Sequence, residues 1–130
     1  MKPHILVVED NRLNRELLSD WLEVEGYCVT VAENLESAFA AFSGTPPHAV
    51  LLDVQLGSED GLDLAAWIRR DPTFHRIPVI AVTAHAMVTD QERVIKAGCN
   101  ACVSKPIDFK LLKENLEIYL PDVPEANKLL

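Results

Sequence analysis

His4-Ile5-Leu6-Val7-Val8-Glu9-Asp10, followed by residues 11–25, Gly26 and Cys28-Val29-Thr30-Val31, is the stretch that decides the architecture of this chain. Residues 4–8 form a short apolar run without polar alternation, the pattern of a strand buried on both faces. Two acids end the run. Over residues 11–25, Leu13, Leu17, Leu18, Trp21 and Leu22 recur at helical spacing, so these side chains are expected to be mostly core. Gly26 is a helix-stop residue, and residues 28–31 begin a second β-branched run. Strand, helix and strand in this order make a βαβ unit, whose strands run parallel.

The same alternation continues outward. Further strands are predicted at 49–52, 78–82 and 101–104. Helices are predicted at 35–42, closed by Gly44 and Pro46-Pro47, and at 62–70, stopped by Asp71-Pro72. Two more fall at 87–97, ending at Gly98, and at 109–120, with Asp108 as the N-cap. Five β-α units in a row imply an α/β doubly wound parallel sheet, because right-handed crossovers put helices on both faces.

The chain has 130 residues, which suits one domain and leaves little room for a second. Residues 1–120 are read as that domain, and residues 121–130, with Pro121 and Pro124, as a tail or linker remnant. With 48% apolar residues the composition is that of a packed protein rather than a disordered one. A net charge of −8 argues against a nucleic-acid surface, which needs clustered Lys and Arg. Acid interrupts the N-terminal apolar run before a signal-peptide core is complete, and no apolar stretch approaches the about 20 residues needed to span a bilayer, so no membrane partner is expected. Three cysteines are too few for a disulfide scaffold, and a reduced, cytoplasmic setting is the expectation.

In an open parallel sheet, ligands bind beyond the carboxyl ends of the strands, near the switch in strand order. Glu9-Asp10 follow the first strand, Asp53 the third, Thr83 the fourth and Lys105-Pro106 the fifth. The second, edge strand is followed by Ala32-Glu33 and offers nothing comparable. Three carboxylates, a hydroxyl and an ammonium are thus delivered to one edge. Two like charges about 4 Å apart cost up to about 4 kcal/mol at an effective dielectric near 20. A hard divalent cation, Mg2+ or Mn2+, removes that penalty at an all-oxygen site and leaves room for phosphate oxygens. Carboxylate, metal, hydroxyl and lysine together suit phosphoryl transfer, and a carboxylate can itself be the nucleophile.

Glu9-Asp10-Asn11, Leu51-Leu52-Asp53, Ala81-Val82-Thr83-Ala84 and Ser104-Lys105-Pro106 resemble the signature of response-regulator receiver domains, with separations of 43 (10 to 53), 30 (53 to 83) and 22 residues (83 to 105). Residues 9–15 further resemble receivers of hybrid histidine kinases and stand-alone phosphorelay regulators. The resemblance implies a flavodoxin-like (βα)5 fold of three layers with strand order 2-1-3-4-5, serving as a phosphorylation-switched signalling domain rather than an enzyme. It implies Asp53 as phosphoacceptor, Asp10 and Glu9 as holders of Mg2+, and Gln55 as donor of a backbone carbonyl to the metal. Thr83 and Lys105 would engage the phosphoryl oxygens, and the Lys105-Pro106 bond would be cis. Gln55 and His85 would tune the lifetime of the phosphoryl group. The implied donor is a phosphohistidine on a histidine kinase or a histidine phosphotransfer protein, facing Asn11, Asn14 and Arg15 on the exposed side of the first helix, with Pro106 and Ile107 beside them. A downstream protein target would read the face of the fourth helix, fifth strand and fifth helix.

The sequence departs from the family at two places. Cys102 stands where a switch aromatic is usual, and Gly57 where proline is usual, which implies a more mobile loop after Asp53; Gly61 is kept. Cys99-Asn100-Ala101-Cys102 spells C-x-x-C, but it leads from a helix end into a strand, and buried inert thiols are expected rather than a redox pair. His4, His48 and His75 form no cluster and are read as structural or solvated. Three other readings stay open: a receiver excised from a hybrid histidine kinase, a constitutive interaction module that is never phosphorylated, and an aspartyl-phosphate phosphatase of the haloacid dehalogenase type. The last wants a second acid at position 55, where this chain has Gln55.

Overall fold

The computed structural model describes residues 2–84 and 88–120. Strands β1 (His4–Val8), β2 (Cys28–Ala32), β3 (Ala49–Asp53), β6 (Val79–Thr83) and β7 (Ala101–Ser104) form one sheet. A two-residue ribbon, β4 (Gln55–Leu56) with β5 (Glu59–Asp60), stands apart from it. The helices are α1 (Arg12–Val24), α2 (Leu35–Ala41), α3 (Leu62–Arg70), α4 (Val88–Lys96) and α5 (Phe109–Tyr119). All neighbours in the large sheet are parallel, in the order β2-β1-β3-β6-β7. Counting only the sheet strands, this is 2-1-3-4-5, as the resemblance implies.

Successive side chains of a strand point to opposite faces, so each central strand feeds two cores. Leu6, Val8, Val50, Leu52 and Ala81 pack toward α2, α3 and α4, with Phe42, Leu64, Ile68 and Val94. Ile5, Val7, Leu51, Ile80 and Val103 pack toward α1 and α5, with Leu18, Leu22, Leu112 and Leu116. Every residue of β3 and β6 is buried, which explains their unbroken apolar runs, whereas the edge strand β2 is largely exposed.

The helix starts follow local chemistry. Asn11, Asn34 and Asp108 accept hydrogen bonds from the amides of Asn14, Ser37 and Leu111, each capping its helix. In α1 the core expectation holds only in part: Leu18 and Leu22 are buried, but Leu13 and Leu17 are exposed. Leu17 and Leu13 lie about 140° and about 180° around the helix from the buried Leu22, outside the stripe that faces the sheet. Among the described residues, no helix is long and apolar enough to cross a membrane.

Cys99 is buried, Cys102 half-buried and Cys28 exposed, all free thiols. Burial pushes the Cys99 thiol up to about 12 and raises that of Cys102, where Asp90 adds to the effect. Both therefore keep their protons at neutral pH, the opposite of a reactive pair. At pH 8 a thiol reagent should label Cys28 alone in the folded protein and all three cysteines in urea; rapid labelling of Cys99 in the folded state would contradict this.

Candidate functional site

β1, β3, β6 and β7 end at one edge of the sheet, and the reversal of strand order falls between β1 and β3. Parallel register holds the ends level: Val8 is opposite Leu52, Asp53 opposite Val82 and Thr83 opposite Ser104. Hence Glu9 and Asp10, Asp53, Thr83 and Lys105 leave neighbouring strands side by side. The Lys105-Pro106 bond is cis.

Glu9, Asp10 and Asp53 each offer a carboxylate oxygen, and the three atoms lie within 4.8 Å of one another. Glu9 and Asp53 are only 2% and 5% exposed, whereas Asp10 faces solvent. Lys105 Nζ donates to Asp53 Oδ2 at 3.1 Å and to Glu9 Oε1 at 3.2 Å. The Gln55 amide donates to Asp53 Oδ1 at 3.2 Å. Among the described residues, Glu9 Oε2 is buried without a hydrogen-bond partner. A cleft of about 370 Å³ opens above the cluster, lined by Asp10, Asn11, Asn14, Asp53, Gln55, Gly57, Ala84 and Lys105.

Charge governs this arrangement. Burial, and then the facing Asp53 carboxylate, push Glu9 up to about 7, against the opposing effects of Asn14 and Lys105. Burial pulls the Lys105 ammonium down, but Asp53 and Glu9 outweigh it and hold it above its ordinary value. One ammonium faces three carboxylates, so the cluster keeps a negative surplus. An all-oxygen donor set with a buried, unpartnered carboxylate oxygen fits a hard divalent cation.

Thr83 is buried and lines a second cavity, on the far side of Gln55 and Gly57, together with Asp60, Asp90 and Arg93. His85 lies outside the described residues, as do residues 121–130. Arg15 does not stand on an exposed face: its side chain is largely enclosed and bonded to the backbone, because the guanidinium folds back over the start of α1.

The segment after Asp53 forms the β4–β5 ribbon. Gly57, at φ +61°, takes the first central position of its two-residue turn, a conformation closed to proline. The ribbon is tied to three helices. Glu59 accepts from the Leu35 amide at the start of α2, Asp60 Oδ1 accepts from the Leu62 amide at the start of α3, and Asp60 Oδ2 pairs with Arg93 of α4 at 2.9 Å. Sequence reading missed these ties. The one local signal was an acid placed two residues before a helix that has no capping side chain.

An acidic, lysine-bearing cleft at the switch point of a 2-1-3-4-5 parallel sheet defines a class of signalling domain. The sequence profile of the response regulator receiver domain matches residues 5–117, and the chain belongs to this family of two-component signalling. The polar-differentiation response regulator DivK of Brucella ovis is 39% identical over 123 residues, covering 94% of this chain and 99% of that protein. The receiver domain of sensor histidine kinase PA1611 from Pseudomonas aeruginosa, a structure with a magnesium ion coordinated in its active-site cleft, is 30% identical, with a TM-score of 0.84 over 93% of this chain and 99% of that one. The signal receiver domain of a signal transduction histidine kinase from Syntrophus aciditrophicus is also 30% identical, with a TM-score of 0.84 over 93% and 92%.

Proposed function

We propose that this receiver accepts a phosphoryl group on Asp53 from a phosphohistidine of a histidine kinase or histidine phosphotransfer protein, and thereby switches its binding to a downstream protein. The observation that carries the reading is the convergence of Glu9, Asp10 and Asp53 within 4.8 Å around a lysine that touches two of them. In the transfer, an Asp53 carboxylate oxygen forms the new O–P bond as the N–P bond to the donor imidazole breaks. The electron pair of that bond returns to the departing imidazole nitrogen. Asp53 is ready for this role, because its carboxylate is held by Lys105 on one oxygen and the Gln55 amide on the other.

Glu9, Asp10 and Asp53, with the backbone carbonyl of Gln55, would hold Mg2+, or Mn2+ in its place, and the ion supplies charge neutralisation for the phosphoryl oxygens. Lys105 then exchanges a carboxylate partner for a phosphoryl oxygen, and the Thr83 hydroxyl donates to another. Those contacts bias a two-state equilibrium of the surrounding segments. Gln55 and His85 are assigned to tuning the lifetime of the acyl phosphate. We read the domain as residues 1–120 and residues 121–130 as a tail or linker remnant. Identity of 39% to DivK, over 99% of that protein, supports a DivK-like regulator.

The test is intact mass after incubation with Mg2+ and acetyl phosphate. Wild type is expected to gain one acid-stable, alkali-labile phosphoryl group, and Asp53→Asn none. An unmodified wild type would favour the passive interaction module.

A further inference from the structure

Arg15 occupies the first turn of α1, where the positive end of the helix dipole disfavours a cation. No acid sits in that turn to offset it. The side chain is nevertheless only 17% exposed. Its Nη1 donates to the backbone carbonyls of both Glu9 and Asp10, at 3.0 and 2.9 Å. Its Nη2 lies 3.9 Å from Glu33 Oε2, so the end of β2 does contribute to this edge. The Glu9 amide still bonds to the Ala32 carbonyl of β2, but beyond that point the chain turns out of the ladder. The carbonyls of residues 9 and 10 then need partners from elsewhere.

We infer that Arg15 is a positioning residue for the acidic cluster: its clamp on two consecutive carbonyls aims the Glu9 and Asp10 carboxylates into one cleft and keeps them there for a divalent cation. The inference rests on the phosphoacceptor reading above and adds a residue to it. Mutual repulsion of the carboxylates pushes the 9–10 segment apart, and side chains can converge only if the peptide planes that carry them are fixed. One planar, permanently charged group bonded to both carbonyls fixes them, and its own charge offsets part of the repulsion. An outer partner of this kind acts on the ligands without touching the ion.

The test is calorimetric titration of MgCl2 into the full chain, with urea unfolding measured alongside. Arg15→Gln should weaken Mg2+ binding by about tenfold. The Mg2+ concentration for half-maximal uptake from acetyl phosphate should rise by the same factor. Arg12→Gln is the control: Arg12 is in the same turn, exposed, and pairs with Glu16 rather than with the carbonyls of residues 9 and 10, so it removes the same charge without touching the clamp. Arg15→Lys, which keeps a charged donor, should fall between Arg15→Gln and wild type. If Arg15→Gln does not fold, Arg15→Lys decides, and wild-type affinity in it overturns the inference. Equal weakening in Arg12→Gln, or a lowered urea midpoint with unchanged Mg2+ affinity, would assign Arg15 to bulk charge or to folding alone and also overturn it. A wild type that binds no Mg2+ removes the phosphoacceptor reading itself, and this inference with it.

Discussion

Replacing Lys105 with methionine is expected to lower the stability of the metal-free protein by roughly 3 kcal/mol at pH 7.5, the low end for breaking a buried ion pair, since the Lys105 side chain is 25% exposed. The lysine is the shared cation of two buried carboxylates, and without it Glu9 Oε1 and Asp53 Oδ2 face each other unpaired. Two features separate this electrostatic cost from lost packing. Mg2+ should recover much of the stability, because the ion takes over the same neutralising task. The deficit should also shrink as the pH falls through 7 toward 6, where Glu9 takes up a proton and one of the two facing charges is lost. Glu9 in the folded protein sits near 7, above its ordinary 4.5, so the native state takes up the proton first on acidification. A raised carboxylate of this kind contributes stability below pH 4.5 that disappears as the pH rises through 7. Urea unfolding in EDTA and in excess Mg2+, at pH 5.5 and 7.5, makes the comparison. A deficit equal under all four conditions would assign the loss to packing.

The second large effect is expected at Gly61. Its φ of −58° is open to any residue, so conformational freedom is not what glycine provides here. A Cβ at this position would overlap the carbonyl oxygen of Asp53 and come within 3.1 Å of that of Val54. The Gly61 amide already donates to the Val54 carbonyl at 2.7 Å, so the two chain segments have no slack. Gly61→Ala must therefore displace the backbone that carries Asp53, at a cost of roughly 1–3 kcal/mol, typical of overpacking. The rate of phosphoryl uptake should fall with it. Gly44→Ala is the matched control, with nothing within 4 Å of the added carbon, and should leave both properties unchanged. Wild-type stability and uptake in Gly61→Ala would show that the segment relaxes freely.

Both effects depend on contacts that no local pattern states: Lys105 meets Glu9 and Asp53 across the sheet, and Gly61 closes on the backbone of Asp53 and Val54, which marks where sequence reading stops. The order of strands and helices was legible because it follows from local patterns: unbroken apolar runs at 49–52 and 78–82, helical spacing over 62–70, and Asn11 and Asp108 at helix starts. The residues after each strand were legible too, since parallel strands must end together at one edge. That is how Glu9, Asp10, Asp53 and Lys105 could be grouped before any distance was known.

What sequence by itself determined, then, is the doubly wound sheet and the chemical character of the edge, because periodicity and strand-end position are properties of the local chain; the motifs at that edge added the resemblance to receivers. Tertiary structure alone decided which side chains share a cavity and which hold the backbone. It placed Thr83 in a cavity beside the acidic cleft, turned Arg15 from the surface onto two carbonyls, and made a tethered ribbon of the segment around Gly57. It also exposed Leu13 and Leu17, which share a helical pattern with the buried Leu18 and Leu22. The physical reason is the same in each case. Spacing states which residues lie on one element, whereas the direction of a long side chain and the carbonyl it meets depend on how separate elements pack.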